Sequence, residues 1–183
     1  MKYAAIIPIL PLVAFAINIL FGKKLAGKSA YVSISAIAIS FIISVYIFIK
    51  MLSGYAFTEI KIDWMVIGSF KFELGMLIDG LTSVMLIVVS TVSMLVQIYS
   101  IGYMHGDPRY SRYYAYMSLF TFAMLLLVLA NNFLEIFISW ELVGVCSYLL
   151  IGFWFEKKSA SDAGKKAFIT TKIGDVGFLI GIL

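Results

Sequence analysis

The chain has 183 residues, of which 62% are hydrophobic and 13% are charged, and its formal net charge is +4. Its mean hydropathy is +1.02, whereas soluble domains are roughly half apolar and a quarter charged. A water-soluble core cannot absorb that much apolar surface, so the composition excludes a soluble domain. The basic residues lie at the ends of apolar runs rather than in one stripe, which argues against nucleic acid as a partner.

Runs of about twenty apolar residues predict an all-α polytopic membrane protein, because that length crosses the hydrocarbon layer as a helix. Six membrane segments are predicted, at about residues 3–21, 30–52, 80–102, 113–131, 133–155 and 165–183. No small-residue cleavage site follows the first segment, so we expect it to stay in the membrane. The last segment ends at Leu183 without a charged or aromatic flank, so we expect the chain to continue.

The stretch between the second and third segments predicts an external β-hairpin at about residues 55–75. The sequences FTEIKIDW and SFKFELG alternate apolar with polar residues and are separated by Gly68 and Ser69. Two roles stay open for this hairpin, contact with a neighbouring subunit or a cap on the helices. Asp79 precedes the third segment, where its carboxylate is placed to cap the helix N-terminus.

The orientation follows from lysine and arginine, which collect on the cytoplasmic side of membrane proteins. One side of the predicted bundle carries Lys23, Lys24, Lys28, Arg109, Arg112, Lys157, Lys158, Lys165 and Lys166. The other side carries Lys2, Lys50, Lys61 and Lys71. The pattern therefore predicts a multi-pass protein of the inner membrane with its N-terminus on the periplasmic side.

Three ionisable residues lie deep inside predicted segments, namely Glu141, Lys172 and Asp175. A charge near the bilayer centre costs at least about 2.5–3.5 kcal/mol, so such residues are functional candidates by default. Every other charged residue lies within reach of an interface, although the place of Glu135, two residues into its segment, is ambiguous.

Glu141 is about 8 residues into its segment, which places it roughly 12 Å from the outer end. Gly144, Tyr148 and Gly152 share its helix face, so this face is predicted to approach another helix closely. Lys172 and Asp175 are three residues apart and can pair across one turn of the last segment.

The opposite side of the last segment carries three glycines, which predict tight packing there. These are Gly174, Gly177 and Gly181. With one side packed and the other ionic, little of this helix is left for lipid, and an interior position is expected.

The intramembrane charges fit a proton relay. Desolvation raises the pKa of a carboxyl group and a nearby cation lowers it, so displacement of the cation changes whether a proton is bound. The alternative for Lys172 and Asp175 is a structural salt bridge that holds two helices together, and for Glu141 a structural role also stays open.

The remaining chemistry-bearing residues predict no catalytic, metal or redox site. Cys146 is the single cysteine and lies in an apolar run, which is typical of packing. The sequence has no glycine fingerprint after a strand and no histidine pair for haem. His105 lies in the loop GYMHGDPRYSR, which is rich in tyrosine and arginine. This loop suits either a headgroup-level anchor or a subunit contact.

Two blocks of sequence resemble a known family. They are GYMHGDPRYSRYYAYMSLFTFAMLLLVLANN at residues 102–132 and ISWELVGVCSYLLIGFWF at residues 138–155. The chain resembles subunit L of NADH-quinone oxidoreductase, also called NADH dehydrogenase subunit 5, an antiporter-like subunit of respiratory complex I. The resemblance covers essentially all of the residues.

The resemblance implies many transmembrane helices with two inverted five-helix repeats and a long lateral helix at the C-terminus. Residues 1–112 would then form helices 1–3 with the hairpin, and residues 113–183 would begin the proton-translocating antiporter-like domain. Glu141 matches a functional glutamate that modulates the protonation of a lysine on a later helix. Lys172 and Asp175 match a basic and an acidic position, the first of which is usually arginine in the family.

The resemblance also implies a translocase subunit that transports protons and holds no cofactor itself. NADH, FMN, iron–sulfur clusters and quinone would lie in other subunits, and the partners would be membrane-arm subunits, above all the neighbouring antiporter-like subunit. Three alternatives stay open: a subunit of a multisubunit sodium–proton antiporter, a subunit of a membrane-bound hydrogenase, and a purely structural assembly subunit.

Overall fold

The computed structural model describes residues 2–25, 27–54, 58–67 and 70–182, with residues 2, 62–67 and 70–72 described by their backbone alone. This part of the chain forms six α-helices and a two-stranded antiparallel sheet. The elements are α1 (Ile6–Phe21), α2 (Ser29–Leu52), β1 (Thr58–Ile67), β2 (Phe70–Ile78), α3 (Gly80–Tyr103), α4 (Tyr110–Leu129), α5 (Phe133–Ile151) and α6 (Lys158–Ile182). A short 3-10 turn, Lys2–Ala5, precedes α1.

Helices α1 to α5 are long and apolar enough to cross a membrane. The predicted polytopic helical fold is therefore confirmed, with five of the six predicted membrane segments; α6 is not among these helices, because its apolar stretch carries more charged residues. The predicted start of α6 near residue 165 is also wrong, since the helix begins at Lys158, whereas α5 ends at Ile151, four residues before the predicted end near residue 155. Apolar runs mark the depth of the membrane, whereas a helix continues through lysine and alanine, which are good helix formers in any solvent.

The predicted hairpin is confirmed by the antiparallel pairing of β1 with β2. Its predicted turn at Gly68 and Ser69, and residues 55–57, lie outside the described residues. Lys61 on β1 lies 3.2 Å from Glu59 and 3.6 Å from Glu73. The hydrogen bond and the charge of Glu59, with the charge of Glu73, raise the pKa of Lys61 above its ordinary value. Glu59 and Glu73 of the hairpin thus neutralise the charge of Lys61.

The hairpin lies against the turn between α4 and α5, which makes it a cap on the helices. Asn131 Nδ2 donates to Glu59 Oε1 at 3.0 Å, and Asn132 Nδ2 donates to the carbonyl of Glu73 at 3.0 Å. Asn132 also caps α5, because its side chain accepts from the Glu135 amide at 2.8 Å. The α4–α5 turn is therefore short, and its two asparagines hold both the helix and the sheet.

The largest apolar core lies at the hairpin end of the bundle. Ile78 at the end of β2 enters this core between helices. Its other buried members are Ala4, Ile7, Ile37, Ile47, Leu86, Leu125 and Leu129. The next residue of the chain, Asp79, caps α3 by accepting from the Thr82 amide at 2.7 Å, which confirms its predicted role. The hairpin is therefore continuous with the core rather than attached through polar contacts alone.

The α1–α4 bundle packs through a face of small hydroxyl side chains on α2. Four buried serines form this serine face: Ser29, Ser33, Ser40 and Ser44. Ser40 Oγ donates to the Ile7 carbonyl at 2.8 Å, and Ser33 Oγ lies 2.8 Å from Ser118 Oγ on α4. Small residues let helix backbones approach closely inside a membrane. Three of the four hydroxyls bond across the interface, whereas Ser44 Oγ donates to the Ser40 carbonyl of its own helix at 2.8 Å.

The opposite end of the bundle ties the α3–α4 loop to the α5–α6 junction. Trp154 Nε1 donates to Asp107 Oδ2 at 3.0 Å, and Arg109 pairs with Glu156 at 2.5 Å. Burial raises the pKa of Asp107, but hydrogen bonds from Trp154 and from the Arg109 amide, with the Arg109 charge, outweigh it and lower this pKa below its ordinary value. His105 in the same loop is exposed, as expected for a surface histidine.

Candidate functional site

The candidate site lies between α5 and α6, which run antiparallel, α6 packing mainly against α5. The contacts follow the face that the sequence predicts. The Tyr148 ring lies 5.5 Å from the Phe168 ring, and an added Cβ on Gly164 would lie 3.3 Å from the Gly152 backbone. Glycine at this crossing therefore lets the two helix backbones approach closely. The prediction that the Glu141 face meets another helix is confirmed, and that helix is α6.

Glu141, Lys172 and Asp175 come together at the middle of this contact. The Lys172 ammonium forms an ion pair with Glu141 Oε2 across the two helices. The same ammonium lies 3.5 Å from Asp175 Oδ2 on its own helix. Lys172 is therefore shared by two carboxylates, where the sequence predicts a pair within α6. Its ammonium also lies 5.1 Å from the centre of the Phe168 ring, a cation–π distance.

Trp140 is a fourth member of the site that the sequence does not reveal. Its indole Nε1 donates to Asp175 Oδ1 at 3.0 Å. The two oxygens of Asp175 are thus divided between an indole and an ammonium. The position of Trp140 directly before Glu141 in the sequence is the signal that points to the site.

The site is near the middle of a helix but is incompletely enclosed by the described residues. Glu141 lies about 12 Å along the 19-residue α5. The Asp175 side chain is 9% exposed, whereas those of Glu141 and Lys172 are 28% and 31% exposed. A cleft of about 600 Å³ opens beside Trp140 and Asp175, with Thr171 in its lining.

The charges of the three ionised side chains sum to −1, from one ammonium and two carboxylates. One additional proton neutralises this cluster, and opposite charges held close together in a low-dielectric region interact strongly. A displacement of the ammonium would therefore change which of the two carboxylates is paired with it.

Glu135 lies apart from this site, on the opposite face of α5. It is 5% exposed, and its Oε2 accepts from the Gly75 amide of β2 at 3.2 Å. The carboxylate that is ambiguous in the sequence is therefore buried under the hairpin. Cys146 is also buried on this face, in agreement with its predicted packing role.

The predicted tight packing of the α6 glycines is wrong within the described residues. No atom of that part of the chain lies within 4 Å of a Cβ added at Gly174, Gly177 or Gly181. The glycines that do meet another backbone are Gly152 and Gly164. A pattern of small residues shows that a helix face allows close approach, but it does not show which neighbouring helix packs against that face.

Comparison with protein families identifies two matching regions. Residues 64–114 match the N-terminus of chain 5 of NADH-ubiquinone oxidoreductase (complex I). Residues 130–183, which contain the whole candidate site, match the transmembrane region of NADH:quinone oxidoreductases and Mrp antiporters. Both matches are to membrane subunits of the antiporter-like class.

Curated relatives resemble the chain over nearly all of its length. F(420)H(2) dehydrogenase subunit L of Methanosarcina mazei is 51% identical over 100% of the chain and 27% of that protein. NADH-quinone oxidoreductase subunit L of Neisseria meningitidis is 44% identical over 97% of the chain and 27% of that protein. NAD(P)H-quinone oxidoreductase chain 5 of Synechocystis is 44% identical over 100% of the chain and 28% of that protein. The chain therefore spans less than a third of the length of these relatives.

Two solved structures share the fold. The archaeal membrane-bound sulfane sulfur reductase contains a chain that superposes with a TM-score of 0.80 at 18% identity, covering 99% of this chain and 36% of that one. A chain of the Mrp complex from Dietzia superposes with a TM-score of 0.77 at 24% identity, covering 95% of this chain and 18% of that one. Together with the sequence matches, the fold is that of antiporter-like membrane subunits, and the chain is similar over nearly its whole length to subunit L (subunit 5) of NADH-quinone oxidoreductases.

Proposed function

We propose that the chain is the N-terminal part of a proton-translocating membrane-arm subunit of a respiratory NADH-quinone oxidoreductase. The observation that carries the proposal is the shared ammonium of Lys172, which lies between Glu141 and Asp175 at the contact of α5 with α6. Similarity to subunit L supports the proposal, because those relatives are named as subunits of quinone oxidoreductases. The chain contributes proton transport to an enzyme whose redox chemistry occurs in other subunits.

In the proposed mechanism Glu141 is the proton-exchanging group. While Lys172 is paired with it, the carboxylate retains its negative charge. When the ammonium moves toward Asp175, Glu141 loses its counter-ion and takes up a proton, because an unpaired carboxylate is poorly tolerated in a low-dielectric region. Return of the ammonium favours release. Trp140 holds Asp175 in place for this exchange through its indole hydrogen bond.

The proposal also covers the redox chemistry of the complex, the partner subunits and the location of this chain. Electron transfer from NADH through FMN and iron–sulfur clusters to quinone takes place in other subunits, and this chain holds no redox centre. Its partners are the membrane-arm subunits, in particular the neighbouring antiporter-like subunit. The protein lies in the bacterial inner membrane with its N-terminus in the periplasm, so that the basic end of the bundle is cytoplasmic. The predicted division at residue 112 fits a domain that begins near α4.

The test replaces Glu141→Gln in the intact complex reconstituted into vesicles. Proton uptake into the vesicles and quinone reduction are recorded together. We expect the variant to assemble, because glutamine keeps the shape of the side chain, and to lose most proton transport per quinone reduced. Asp162→Asn is the matched control, since Asp162 is an exposed carboxylate on α6 that pairs only loosely with Lys165 at 3.9 Å. Normal proton transport by Glu141→Gln would contradict the proposal.

A structural role is the second candidate, because Lys172 does join two helices. This role predicts poor assembly of Glu141→Gln with a normal proton-to-quinone ratio in the complexes that do form. Because the region that contains the site also matches Mrp antiporters, sodium–proton antiport is a further alternative. Replacement of sodium by choline in the same vesicles separates the cases, since only a sodium–proton antiporter would then lose activity.

A further inference from the structure

A second polar region lies at the basic end of the bundle, far along the chain from the ion cluster. It is a cleft of about 860 Å³ between the α1–α2 and α3–α4 loops. Its lining includes Lys23, Lys28, Arg109 and Arg112, with Asp107 as the carboxylate among its residues. We name it the basic cleft. Within the described part of the chain, no carboxylate pairs with Lys23, Lys28 or Arg112.

Asp107 does not neutralise the basic cleft, because both of its oxygens are already engaged. Oδ1 accepts from the Arg109 amide at 2.7 Å, and Oδ2 accepts from Trp154 Nε1 at 3.0 Å. Arg109 is itself paired with Glu156. The cations at Lys23, Lys28 and Arg112 therefore leave an uncompensated positive field across the cleft.

Two helix N-termini add to this field. α2 begins beside Lys28, and α4 begins beside Arg109. Neither helix has an acidic residue in its first turn, and neither N-cap side chain accepts a hydrogen bond from it. The positive ends of both helix dipoles thus open at the cleft, where Asp107 beside α4 is the carboxylate of the lining, and helix N-termini attract phosphate groups.

A buried polar atom supplies a separate indication of a ligand. Asn18 lines the cleft and is 2% exposed, and its Nδ2 donates to Ser33 Oγ at 2.7 Å. Its Oδ1 is buried and has no partner. A buried amide oxygen without a donor is costly, so a hydroxyl or ammonium group of a ligand is favoured there. The cleft thus offers cations for a phosphate and an acceptor for a donor group.

From these features we infer that the basic cleft binds the headgroup of an anionic phospholipid such as phosphatidylglycerol. The headgroup phosphate lies among Lys23, Lys28 and Arg112, beside the unsatisfied Asn18 oxygen at the inner wall of the cleft. The outer side of α1 fits the acyl chains, because Ile19 is 45% and Leu20 is 73% exposed next to the cleft. Basic pockets between helices at the cytoplasmic surface are the usual sites for such headgroups.

The test measures lipid binding by the complete subunit in its complex, reconstituted in phosphatidylcholine vesicles with photoactivatable phosphatidylglycerol. Labelling of the segment that contains residues 18–31 is followed by mass spectrometry as the lipid is titrated. Lys28→Gln with Arg112→Gln is expected to weaken labelling about 25-fold, at about fivefold for each basic side chain removed. Lys165→Gln with Lys166→Gln is the matched control, which removes equal charge at the same end but outside the cleft.

Four results would overturn the inference. They are equal labelling by photoactivatable phosphatidylcholine, no labelling of the wild-type segment, loss of labelling in the Lys165 and Lys166 control, and displacement of the lipid by inorganic phosphate. The last result would assign the cleft to a free anion, and the second would show that protein occupies it. None of these outcomes depends on proton transport, so the inference and the proposed function are tested independently.

Discussion

The α1–α4 bundle and the contact between α5 and α6 are held together by different kinds of side chain. In the bundle, the serine face and an apolar core are buried, and the hydroxyls bond to fixed backbone or side-chain partners. Between α5 and α6, a single ammonium is shared by two carboxylates. In the first kind of contact each hydroxyl has its own partner, whereas in the second one cation lies within reach of two carboxylates. This difference between a scaffold with fixed partners and a site with a shared ion is what the proposed proton exchange requires.

The largest effect on stability is expected from Ser40→Leu in the serine face. Ser40 is 0% exposed and bonds to the Ile7 carbonyl. Leucine would force α1 and α2 apart and should lower the free energy of unfolding by about 2–3 kcal/mol. Ser35→Leu on the exposed side of α2 should change it by less than about 0.5 kcal/mol. Thermal unfolding of the purified complex measures both. Equal effects would show that the serine face is not the close contact described here.

The next effect is expected from Trp140→Phe at the α5–α6 contact. Loss of the indole hydrogen bond to Asp175 should cost about 1.5 kcal/mol, as is usual for a bond to a charged group. Proton transport per quinone should fall as well, because Asp175 is no longer held in position. Tyr148→Phe is the control, which keeps the ring contact with Phe168. If Trp140→Phe altered stability alone, the α5–α6 contact would be as static as the bundle.

A smaller effect is expected from Gly75→Ala, where the hairpin meets α5. An added Cβ would overlap the amide side chain of Asn131, so that the side chain must move. We expect a loss of about 1 kcal/mol, at the low end of overpacking because the obstacle is a side chain. Gly80→Ala, where the added Cβ meets no atom within 4 Å, should leave stability unchanged or slightly higher. A larger loss of stability in Gly80→Ala than in Gly75→Ala would contradict the described position of the hairpin.

The smallest effect, and the one that depends on pH, is expected from Trp154→Phe. The pKa of Asp107 is lowered in the folded state, so its charged contacts stabilise the protein above the ordinary value of 3.8. The variant should lose roughly 0.5–1 kcal/mol at neutral pH. This difference should shrink as the pH falls below 3.8 through the folded-state pKa, because Asp107 then becomes protonated. Thermal unfolding at several pH values measures it, and a difference independent of pH would exclude Asp107 as its cause.

The sequence predicts much of the scaffold, because apolar length and turn chemistry act locally. The first five helices, the hairpin and the cap at Asp79 all follow from patterns within a few residues. The start of α6 does not, because its first two turns are polar and carry no membrane signal. Local patterns therefore predict elements better than they predict helix ends.

The three charged members of the candidate site were predictable, but their pairing and the membership of Trp140 were not. The cost of burying charge singles out Glu141, Lys172 and Asp175, and helical spacing places the last two together. The bridge from Lys172 to Glu141 depends on the register between α5 and α6, which a single sequence does not contain. The same register decides that Trp140 meets Asp175 and that Gly152 meets Gly164.

The fastening of α5 at both of its ends has a mechanical consequence. Glu135 is bound to the hairpin at one end, and Trp154, just beyond the other end, is bound to the α3–α4 loop. Because α5 is held at two points, it resists tilting, whereas α6 packs against only one side of it. Any change in separation between the two helices should therefore appear as motion of α6 alone. A measured distance between α5 and α6 would then report the movement of α6, with α5 as the fixed reference.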